Sequence, residues 1–153
     1  MDLDHTLSQA LQQYGNTRRR IGHTARSVHA HTIYPTAVDA LQWIRRLEQP
    51  NASALAASLS MTRGGVSKLV PKLEKAGWAE TFRMPDNRKE VYIRLTPLGL
   101  ETITQVEAAY ATIVERELAY FSTLQEDEKH AALRFIQGFT AYLQETWPEN
   151  RDE

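Results

Sequence analysis

Residues 51–78 read NASALAASLSMTRGGVSKLVPKLEKAGW, and this stretch contains two short helical patterns separated by a tight turn. Asn51 can cap the first helix because its side-chain oxygen can accept a free backbone N–H of the first turn. Apolar residues then recur on one face of that helix, namely Leu55, Ala56 and Leu59. Ser60-Met61 provides the turn, and Thr62 is the predicted N-cap of the second helix. The stretch therefore predicts a helix-turn-helix.

The second helix has two chemically different sides. Its apolar side contains Val66, Leu69, Val70 and Leu73. Gly77 fits the left-handed position that ends a helix, and Trp78 can then fold back on Leu73. The other side carries Arg63, Gly64, Ser67, Lys68 and Lys72. Such a helix fits the major groove of B-DNA, where its first residues reach base edges and Lys72 reaches phosphates. A solvated basic face on an ordinary core helix would explain the same residues.

Three residues of the predicted second helix are unfavourable in an ordinary α-helix. Gly64 and Gly65 each cost about 1 kcal/mol relative to alanine in a helix interior. Pro71 costs about 3 kcal/mol or kinks the helix. Bare glycines would let the helix end approach a DNA backbone closely; alternatively, the helix is locally distorted and core packing tolerates it. The sequence leaves both explanations open.

An arm of two predicted strands follows, over residues 79–83 and 90–95. In the second strand Val91, Ile93 and Leu95 alternate with Tyr92 and Arg94. The connecting residues 84–89 are rich in turn formers and include the cations Arg88 and Lys89, of which Arg88 suits a narrow, electronegative minor groove. Asp86 is expected to hold Arg88 or to cap the turn. Thr96-Pro97 then restarts a helix with proline at its first position.

Asp86-Asn87-Arg88, followed by Leu95-Thr96-Pro97-Leu98-Gly99, resembles the D-x-R…L-T-x-x-G signature of the MarR family of bacterial regulators. Residues 55–78 also resemble the helix-turn-helix of that family, and the similarity extends from about Tyr34 to Glu101. The wing signature at this distance behind such a helix is fairly specific, whereas a helix-turn-helix alone is a weak signal.

The resemblance implies a homodimer whose recognition helices enter successive major grooves while the wings enter the flanking minor grooves. By matching position, it implies that Arg88 is the minor-groove residue and that Ser67 and Lys68 are recognition-helix contacts. Two residues depart from the family pattern. Thr81 stands where an arginine is common after the glutamate, and Pro71 lies inside the recognition helix.

The composition suits one globular domain, because 42% of the 153 residues are hydrophobic. The sequence contains no 18-residue apolar run and no signal peptide, so we expect a soluble cytoplasmic protein without a membrane partner. Cysteine is absent, which rules out a disulfide framework and the thiol-based oxidant sensing of some MarR relatives.

The net charge of −1 conceals a strong asymmetry along the chain. Residues 5–96 contain 14 Lys and Arg against 6 Asp and Glu, whereas residues 97–153 contain 4 against 11. Chance clustering on a solvated surface is the less favoured explanation, given where the positive part falls. The asymmetry indicates a basic face offered to phosphate and an acidic region held away from it.

The first 31 residues predict two helices. Residues 3–14 carry Leu3, Leu7 and Leu11 at four-residue steps, and Gly15-Asn16 is expected to break or kink the helix. Residues 16–31 contain no acid, and a helix there would direct Ile21, Ala25 and Val28 inward. The arginines at 18–20 and 26 could contact DNA phosphates or pair with acids of the C-terminal helices, and the second reading is favoured.

Histidines raise the question of a metal site, because some MarR relatives sense zinc. His29 and His31 are two residues apart, which places them on nearly opposite sides of a helix and prevents them from sharing one ion. They could do so only in extended structure, with His23 or an acid from elsewhere. We expect no metal and no cofactor.

Tyr34-Pro35-Thr36 forms a predicted turn and cap before a helix over residues 37–47, with Leu41, Ile44 and Trp43 directed inward. In MarR relatives, small aromatic effectors often bind between this scaffold and the dimerising helices. Four residues are candidates for such a pocket: Tyr14, His31, Tyr34 and Trp43. Aromatic residues at these spacings are more often simply core, and the core reading is favoured.

Two long helices are predicted beyond the arm, from residue 97 to about 120 and from 124 to about 146. Their apolar stripes look wider than one small winged domain can cover, so we expect a homodimer. The predicted fold is mainly α with a small β-wing. The 1–153 chain is then a single MarR-like domain, with a winged helix-turn-helix lobe at 34–99 and helical dimerisation regions at 1–33 and 100–153.

These observations predict a regulator of transcription that binds double-stranded DNA in a sequence-specific manner, acts as a homodimeric repressor on a pseudo-palindromic operator and is released by a small aromatic ligand. The expected DNA contacts are Thr62, Arg63, Gly64, Ser67, Lys68, Lys72, Arg88 and Lys89, with Asp86 supporting the wing. The alternative is a winged-helix module that binds protein and not DNA. An enzyme is not indicated, because no phosphate-binding glycine loop, cysteine nucleophile or acid–histidine–serine arrangement stands out.

Overall fold

The computed structural model describes residues 2–28 and 31–147. The described elements are α1 (Leu3–Ala25), β1 (Ser27–Val28), β2 (His31–Thr32), α2 (Pro35–Arg46), α3 (Ala52–Leu59), α4 (Arg63–Lys75), β3 (Ala79–Phe82), β4 (Tyr92–Leu95), α5 (Pro97–Phe121) and α6 (Glu126–Thr146). The chain forms two compact units, Met1–Ala111 and Thr112–Glu153. The fold is mainly helical with a small antiparallel wing, as the sequence predicts.

The N-terminal region differs from its prediction in two ways. Helix α1 runs without interruption through Gly15 and Asn16, and the Asn16 side chain accepts a hydrogen bond from Arg19 one turn later. The helix then ends at Ala25, and no second helix extends to residue 31. Instead β1 and β2 pair as an antiparallel hairpin, in which the hydroxyls of Ser27 and Thr32 lie 3.1 Å apart.

The helix-turn-helix forms as predicted, because its ends are fixed by local hydrogen bonds. The side chain of Asn51 accepts from the backbone N–H of Ala54 at 2.8 Å, and that of Thr62 accepts from Gly65 at 3.0 Å. Ser60, with φ +52°, makes the turn between α3 and α4. The predicted apolar face of α4 is buried with Leu41 and Leu55 in the core; its members are Val66, Leu69, Val70 and Leu73.

Gly77 ends α4 in the left-handed conformation, with φ +74°. The backbone N–H of Gly77 donates to the Glu74 carbonyl at 2.9 Å, and that of Trp78 donates to the Leu73 carbonyl at 3.0 Å. This pair of bonds is the Schellman motif, in which two carbonyls of the last helical turn find donors. The chain leaves the helix here and enters the wing.

Strands β3 and β4 form the wing, with Ala79 opposite Leu95 and Phe82 opposite Tyr92. The predicted alternation in β4 is wrong at its start. Tyr92 is buried together with Ile93, whereas Val91 is 39% exposed. The reason is that Tyr92 forms a β-bridge to Asn51 and its ring packs 5.8 Å from that of Phe82, so both faces of the strand are covered there.

Helix α5 is joined to the wing and to α2 by side-chain contacts within the first unit. Thr96 caps it, since its hydroxyl accepts from Gly99 N–H at 3.0 Å and donates to the Gly77 carbonyl. Further along, Glu107 accepts hydrogen bonds from Gln42 and Arg45 of α2. The Arg26 guanidinium donates to the Ile33 carbonyl and to the Tyr110 hydroxyl, which ties the short hairpin to α5.

The second unit contains the end of α5 and all of α6. A capping box starts α6, in which Gln125 and Glu128 each hydrogen-bond the other's backbone. None of the described residues of α6 is fully buried, although Phe135, Phe139 and Tyr142 stack along the helix. Across the described ranges, no helix combines the length and the apolar character needed to cross a membrane.

Candidate nucleic-acid interface

The N-terminal half of α4 presents the predicted contact residues to solvent. Thr62, Arg63, Gly64, Ser67, Lys68 and Lys72 are all exposed, whereas Val66, Leu69 and Val70, which lie between them in sequence, are buried in the core. The Thr62 hydroxyl also caps the helix. The first free amides of the helix and the cationic side chains therefore occupy one surface, which we call the α4 face: residues 62–64, 67, 68 and 72.

The two glycines of α4 have different surroundings. A Cβ atom on Gly65 would lie 3.0 Å from Cε of Met61 and 3.4 Å from the Thr62 hydroxyl, so packing of the preceding turn explains its small size. A Cβ atom on Gly64 would have no neighbour closer than 3.9 Å. The Met61 and Thr62 side chains therefore crowd the position of Gly65, whereas no intramolecular contact accounts for Gly64.

Pro71 lies inside α4, which continues from Arg63 to Lys75 on both sides of it. The ring occupies an exposed position between Val70, which is buried, and Lys72. Because the missing N–H falls on the solvent side, water can bond the carbonyl one turn earlier, which lowers the cost of a proline in a helix. Pro71 interrupts neither the helix nor the α4 face.

The wing tip carries Arg88 and Lys89, both exposed. The turn is closed by the Asn87 N–H, which donates to the Met84 carbonyl at 3.2 Å, and by the Arg83 guanidinium, which donates to the Arg88 carbonyl at 2.6 Å. Asp86 was the expected support. It is exposed and makes no hydrogen bond or ion pair with Arg88 in the described structure, since Arg83 and Asn87 already close the turn.

Glu90 is a wing residue that the sequence did not single out. Its Oε2 atom accepts from the Tyr92 hydroxyl at 2.9 Å and from the Asn87 amide at 3.3 Å, and its Oε1 atom accepts from the Asn51 amide. The hydrogen bond to Glu90 is the main cause that raises the pKa of Tyr92 above its usual value. The only signal in the sequence is an acid directly after two cations.

Two further side-chain pairs stabilise the wing. Glu74 of α4 accepts from the Thr81 N–H at 3.1 Å and from the Thr81 hydroxyl at 2.9 Å, which joins the recognition helix to β3. Arg94 forms an exposed ion pair with Glu80 at 2.7 Å, and its guanidinium lies 4.9 Å from the Phe82 ring centre. An exposed pair of this kind contributes little to stability.

Residues 33–91 match the family model described as MarR family. That range contains the helix-turn-helix, the α4 face, the wing tip and Glu90. Over this range the chain is similar to the MarR family.

The curated proteins to which the chain is similar are named as regulators of the helix-turn-helix type. The chain is 27% identical over 112 residues to the HTH-type transcriptional regulator PchR of Bacillus subtilis (strain 168), a match covering 71% of this chain and 64% of that protein. It is 30% identical over 93 residues to the uncharacterized HTH-type transcriptional regulator YhjH of the same organism, covering 61% and 53%. The chain thus spans less than two thirds of the length of either relative.

Solved structures share the fold at lower identity. FabT of Streptococcus pneumoniae, solved in complex with DNA, has a TM-score of 0.65 at 17% identity, covering 95% of this chain and 100% of that one. A MepR variant of S. aureus bound to an oligodeoxyribonucleotide has a TM-score of 0.58 at 18% identity, covering 90% and 98%. YusO of Bacillus subtilis has a TM-score of 0.62 at 18% identity, covering 92% and 99%. These likenesses show that the chain shares the fold of these structures over most of its length.

The structure separates the four residues expected to line an effector pocket. His31 and Tyr34 line a cavity of about 520 Å³ whose other walls include Lys72, Trp78 and Thr102. Tyr14 lies on α1 and is 63% exposed, and Trp43 packs against the core with the Arg46 guanidinium 5.8 Å from its ring centre. Neither residue is among those of the described structure that line the cavity.

One wall of this cavity contains a polar atom that no partner satisfies. The Thr102 hydroxyl is buried and has no hydrogen-bond partner in the described structure. Partial burial also raises the pKa of the Tyr34 phenol on the same cavity. An unsatisfied buried hydroxyl costs about 1 to 3 kcal/mol of folding free energy.

The histidines do not form a metal site in the part of the chain that the structure describes. No group of three or more His, Asp or Glu side chains there is placed to hold an ion. His31 lies in β2, His23 lies in the last turn of α1, and His29 lies outside the described residues.

Proposed function

We propose that this chain is a MarR-family, sequence-specific regulator of transcription that binds double-stranded DNA in the cytoplasm as a homodimeric repressor. The observation that carries the proposal is the α4 face, exposed and cationic on a helix whose opposite side is core. Helix-turn-helix proteins place such a helix in the major groove, with its N-terminal residues at the base edges. The DNA complexes of FabT and of the MepR variant, which share the fold, support this reading.

The proposed contacts divide into base readout and phosphate or groove contacts. Arg63 and Lys68 can donate to guanine acceptors, and Ser67 can donate or accept. Lys72 lies further along α4, where phosphates are nearest, and the exposed Gly64 and Thr62 lie at the helix start, where free amides favour an anion. Arg88 and Lys89 of the wing would enter the adjacent minor groove, whose negative potential attracts cations.

The homodimer is proposed from exposed apolar side chains outside the winged helix-turn-helix lobe, residues 34–99. Leu3 is 78% exposed on α1, Leu118 is 61% exposed on α5, and Ile136 is 58% exposed on α6. Side chains of this size at helical spacing are unfavourable in water, and a second copy of the chain would bury them symmetrically. Two-fold symmetry would then match a pseudo-palindromic operator with half-sites about one helical turn apart.

Release by a small aromatic ligand is the regulatory part of the proposal. The cavity has aromatic walls in Tyr34 and Trp78 and an unsatisfied hydroxyl in Thr102. Lys72 belongs both to the α4 face and to this cavity. A ligand that draws the Lys72 ammonium into the cavity would remove one phosphate contact, and DNA affinity would fall.

The test is selection of bound duplexes from a random pool with the purified chain, followed by sequencing and titration against salt. We expect an enriched inverted repeat and a steep fall of affinity with salt as phosphate counterions are released. Arg134→Ala on the exposed surface of α6 is the matched control, since it removes one cation outside the proposed interface. A folded chain that enriches no sequence, or that binds independently of salt, would contradict the proposal and favour a winged-helix module that binds protein.

A further inference from the structure

We infer that Glu90 is a positioning residue for DNA binding, which fixes the wing to the start of α3 and thereby places Arg88. The inference rests on the proposed function, because its consequence is an effect on affinity for duplex DNA. Glu90 would not contact DNA itself, unlike the cations and the glycine proposed above as contacts.

Three donors converge on the Glu90 carboxylate. The Tyr92 hydroxyl and the Asn87 amide reach Oε2 at 2.9 and 3.3 Å, and the Asn51 amide reaches Oε1. The Asn87 amide also reaches the Tyr92 hydroxyl at 3.4 Å, so the four groups form one connected network. A carboxylate with three donors is held in one orientation, because charge-assisted hydrogen bonds are the stronger kind.

The hydrogen bond between Asn51 and Glu90 connects the wing tip to the start of α3. Among the hydrogen bonds of described residues 84–91, the others join the tip to itself, to Arg83 or to Tyr92. Next to this bond, the Ile93 N–H donates to the Pro50 carbonyl at 2.7 Å and Tyr92 forms its β-bridge to Asn51. The tip is therefore attached to the helix-turn-helix through the Glu90 side chain.

Electrostatics alone would exclude an acid from this place. Glu90 lies two residues from Arg88 and next to Lys89, so its negative charge opposes the approach of phosphate. Removing that charge should then strengthen DNA binding if Glu90 had no other role. A positioning role predicts the opposite sign, because a free wing must lose conformational freedom before Arg88 can enter the groove.

The chain supplies a matched control in Glu80. It is also an acid of the wing, about half-exposed, but its partner is Arg94 on the neighbouring strand and not a residue of α3. Glu80→Ala removes the same charge from the same hairpin and leaves the attachment to Asn51 intact. Comparing the two variants therefore distinguishes the effect of the wing's charge on DNA affinity from the effect of its orientation.

The experiment measures the dissociation constant of the full chain for its selected duplex in wild type, Glu90→Ala, Glu80→Ala, Arg88→Ala and the double variant Glu90→Ala with Arg88→Ala. We expect Glu90→Ala to weaken binding roughly tenfold, whereas Glu80→Ala leaves it unchanged or strengthens it. In the Arg88→Ala background, Glu90→Ala should change affinity by less than about twofold, because no wing arginine remains to be placed.

A second variant keeps the test decisive if Glu90→Ala does not fold. Asn51→Ser retains a good N-cap for α3 but lacks the amide that reaches Glu90, so it should weaken DNA binding in the same direction. Tighter binding by Glu90→Ala, or equal losses with and without Arg88, would overturn the positioning role. If Arg88→Ala binds like wild type, the wing contact and the positioning role fail while DNA binding through α4 stands. If wild type binds no duplex, the proposed function itself fails.

Discussion

A methyl group on Gly99 would lie 1.8 Å from the backbone oxygen of Trp78. The first turn of α5 is therefore in backbone contact with the segment that leaves α4, and the Thr96 N–H adds a hydrogen bond to the same Trp78 carbonyl at 3.1 Å. Thr96 completes the junction by donating its hydroxyl to the Gly77 carbonyl. The end of α4 and the start of α5 thus form one tightly packed joint that only glycine permits at position 99.

Gly99→Ala should lower the free energy of unfolding by about 2 to 3 kcal/mol, because the backbone of Trp78 cannot move away as a flexible side chain could. Chemical denaturation followed by circular dichroism measures it. Gly138→Ala in α6 is the control, since its Cβ would meet no atom within 4 Å and should not destabilise the chain. Equal stability of Gly99→Ala and wild type would show that the backbone contact between Gly99 and Trp78 can relax to admit a methyl group.

Gly64→Ala should separate folding from DNA binding. The added methyl group has open space, so stability should not fall. Because Gly64 is the second residue of α4, the gain from the propensity of alanine should be smaller than the ~1 kcal/mol of a helix interior. We expect DNA affinity to fall all the same, because a Cβ atom at the helix start would hold the phosphate backbone away. Denaturation and duplex titration are measured on one preparation. Undiminished DNA affinity would mean that Gly64 has no role at the interface.

Lys68→Ala and Arg88→Ala should change DNA binding in two different ways. Lys68 is proposed to contact a base, so its removal should cost about 1 to 3 kcal/mol and relax preference at one position of the half-site. Arg88 is proposed to enter the minor groove, so its removal should weaken all sequences by similar factors. Titrations against a set of single-position operator variants distinguish the two patterns. The same sequence profile for both variants would contradict this division.

Thr102→Val should raise the free energy of unfolding by about 1 kcal/mol in the absence of ligand, since it replaces an unsatisfied buried hydroxyl with a methyl group of similar size. Thermal denaturation at one protein concentration measures the change. Thr102→Ser, which retains the hydroxyl and loses the methyl group, should instead destabilise. Destabilisation by valine would indicate that an ordered molecule already bonds the hydroxyl.

The sequence predicted those parts of the fold that local chemistry determines. Asn51 and Thr62 cap their helices, Gly77 ends α4, and Thr96 starts α5, because each of these acts within a few residues. The burial of Leu73 and its helical neighbours followed from spacing alone.

The features that the sequence predicted wrongly, or did not reveal, depend on contacts between distant residues or on several weak local preferences. Gly15 did not break α1, because one glycine costs a long helix little. Tyr92 is buried because it meets Asn51 across the fold, which periodicity within β4 does not reveal. The Glu90 network joins residues 39 apart in sequence, and that separation hides it from any local pattern. The roles of the individual α4 and wing residues at DNA stay predictions.

One asparagine serves two elements of this molecule at once. The oxygen of the Asn51 amide closes the first turn of α3 while its nitrogen holds the wing carboxylate, and the rigid amide plane couples the two bonds. The wing therefore cannot swing far without exposing the first amides of α3 to solvent. Backbone amide hydrogens of the wing and of the first turn of α3 should therefore exchange with solvent through one shared opening. The wing and the helix-turn-helix would then move as one coupled unit.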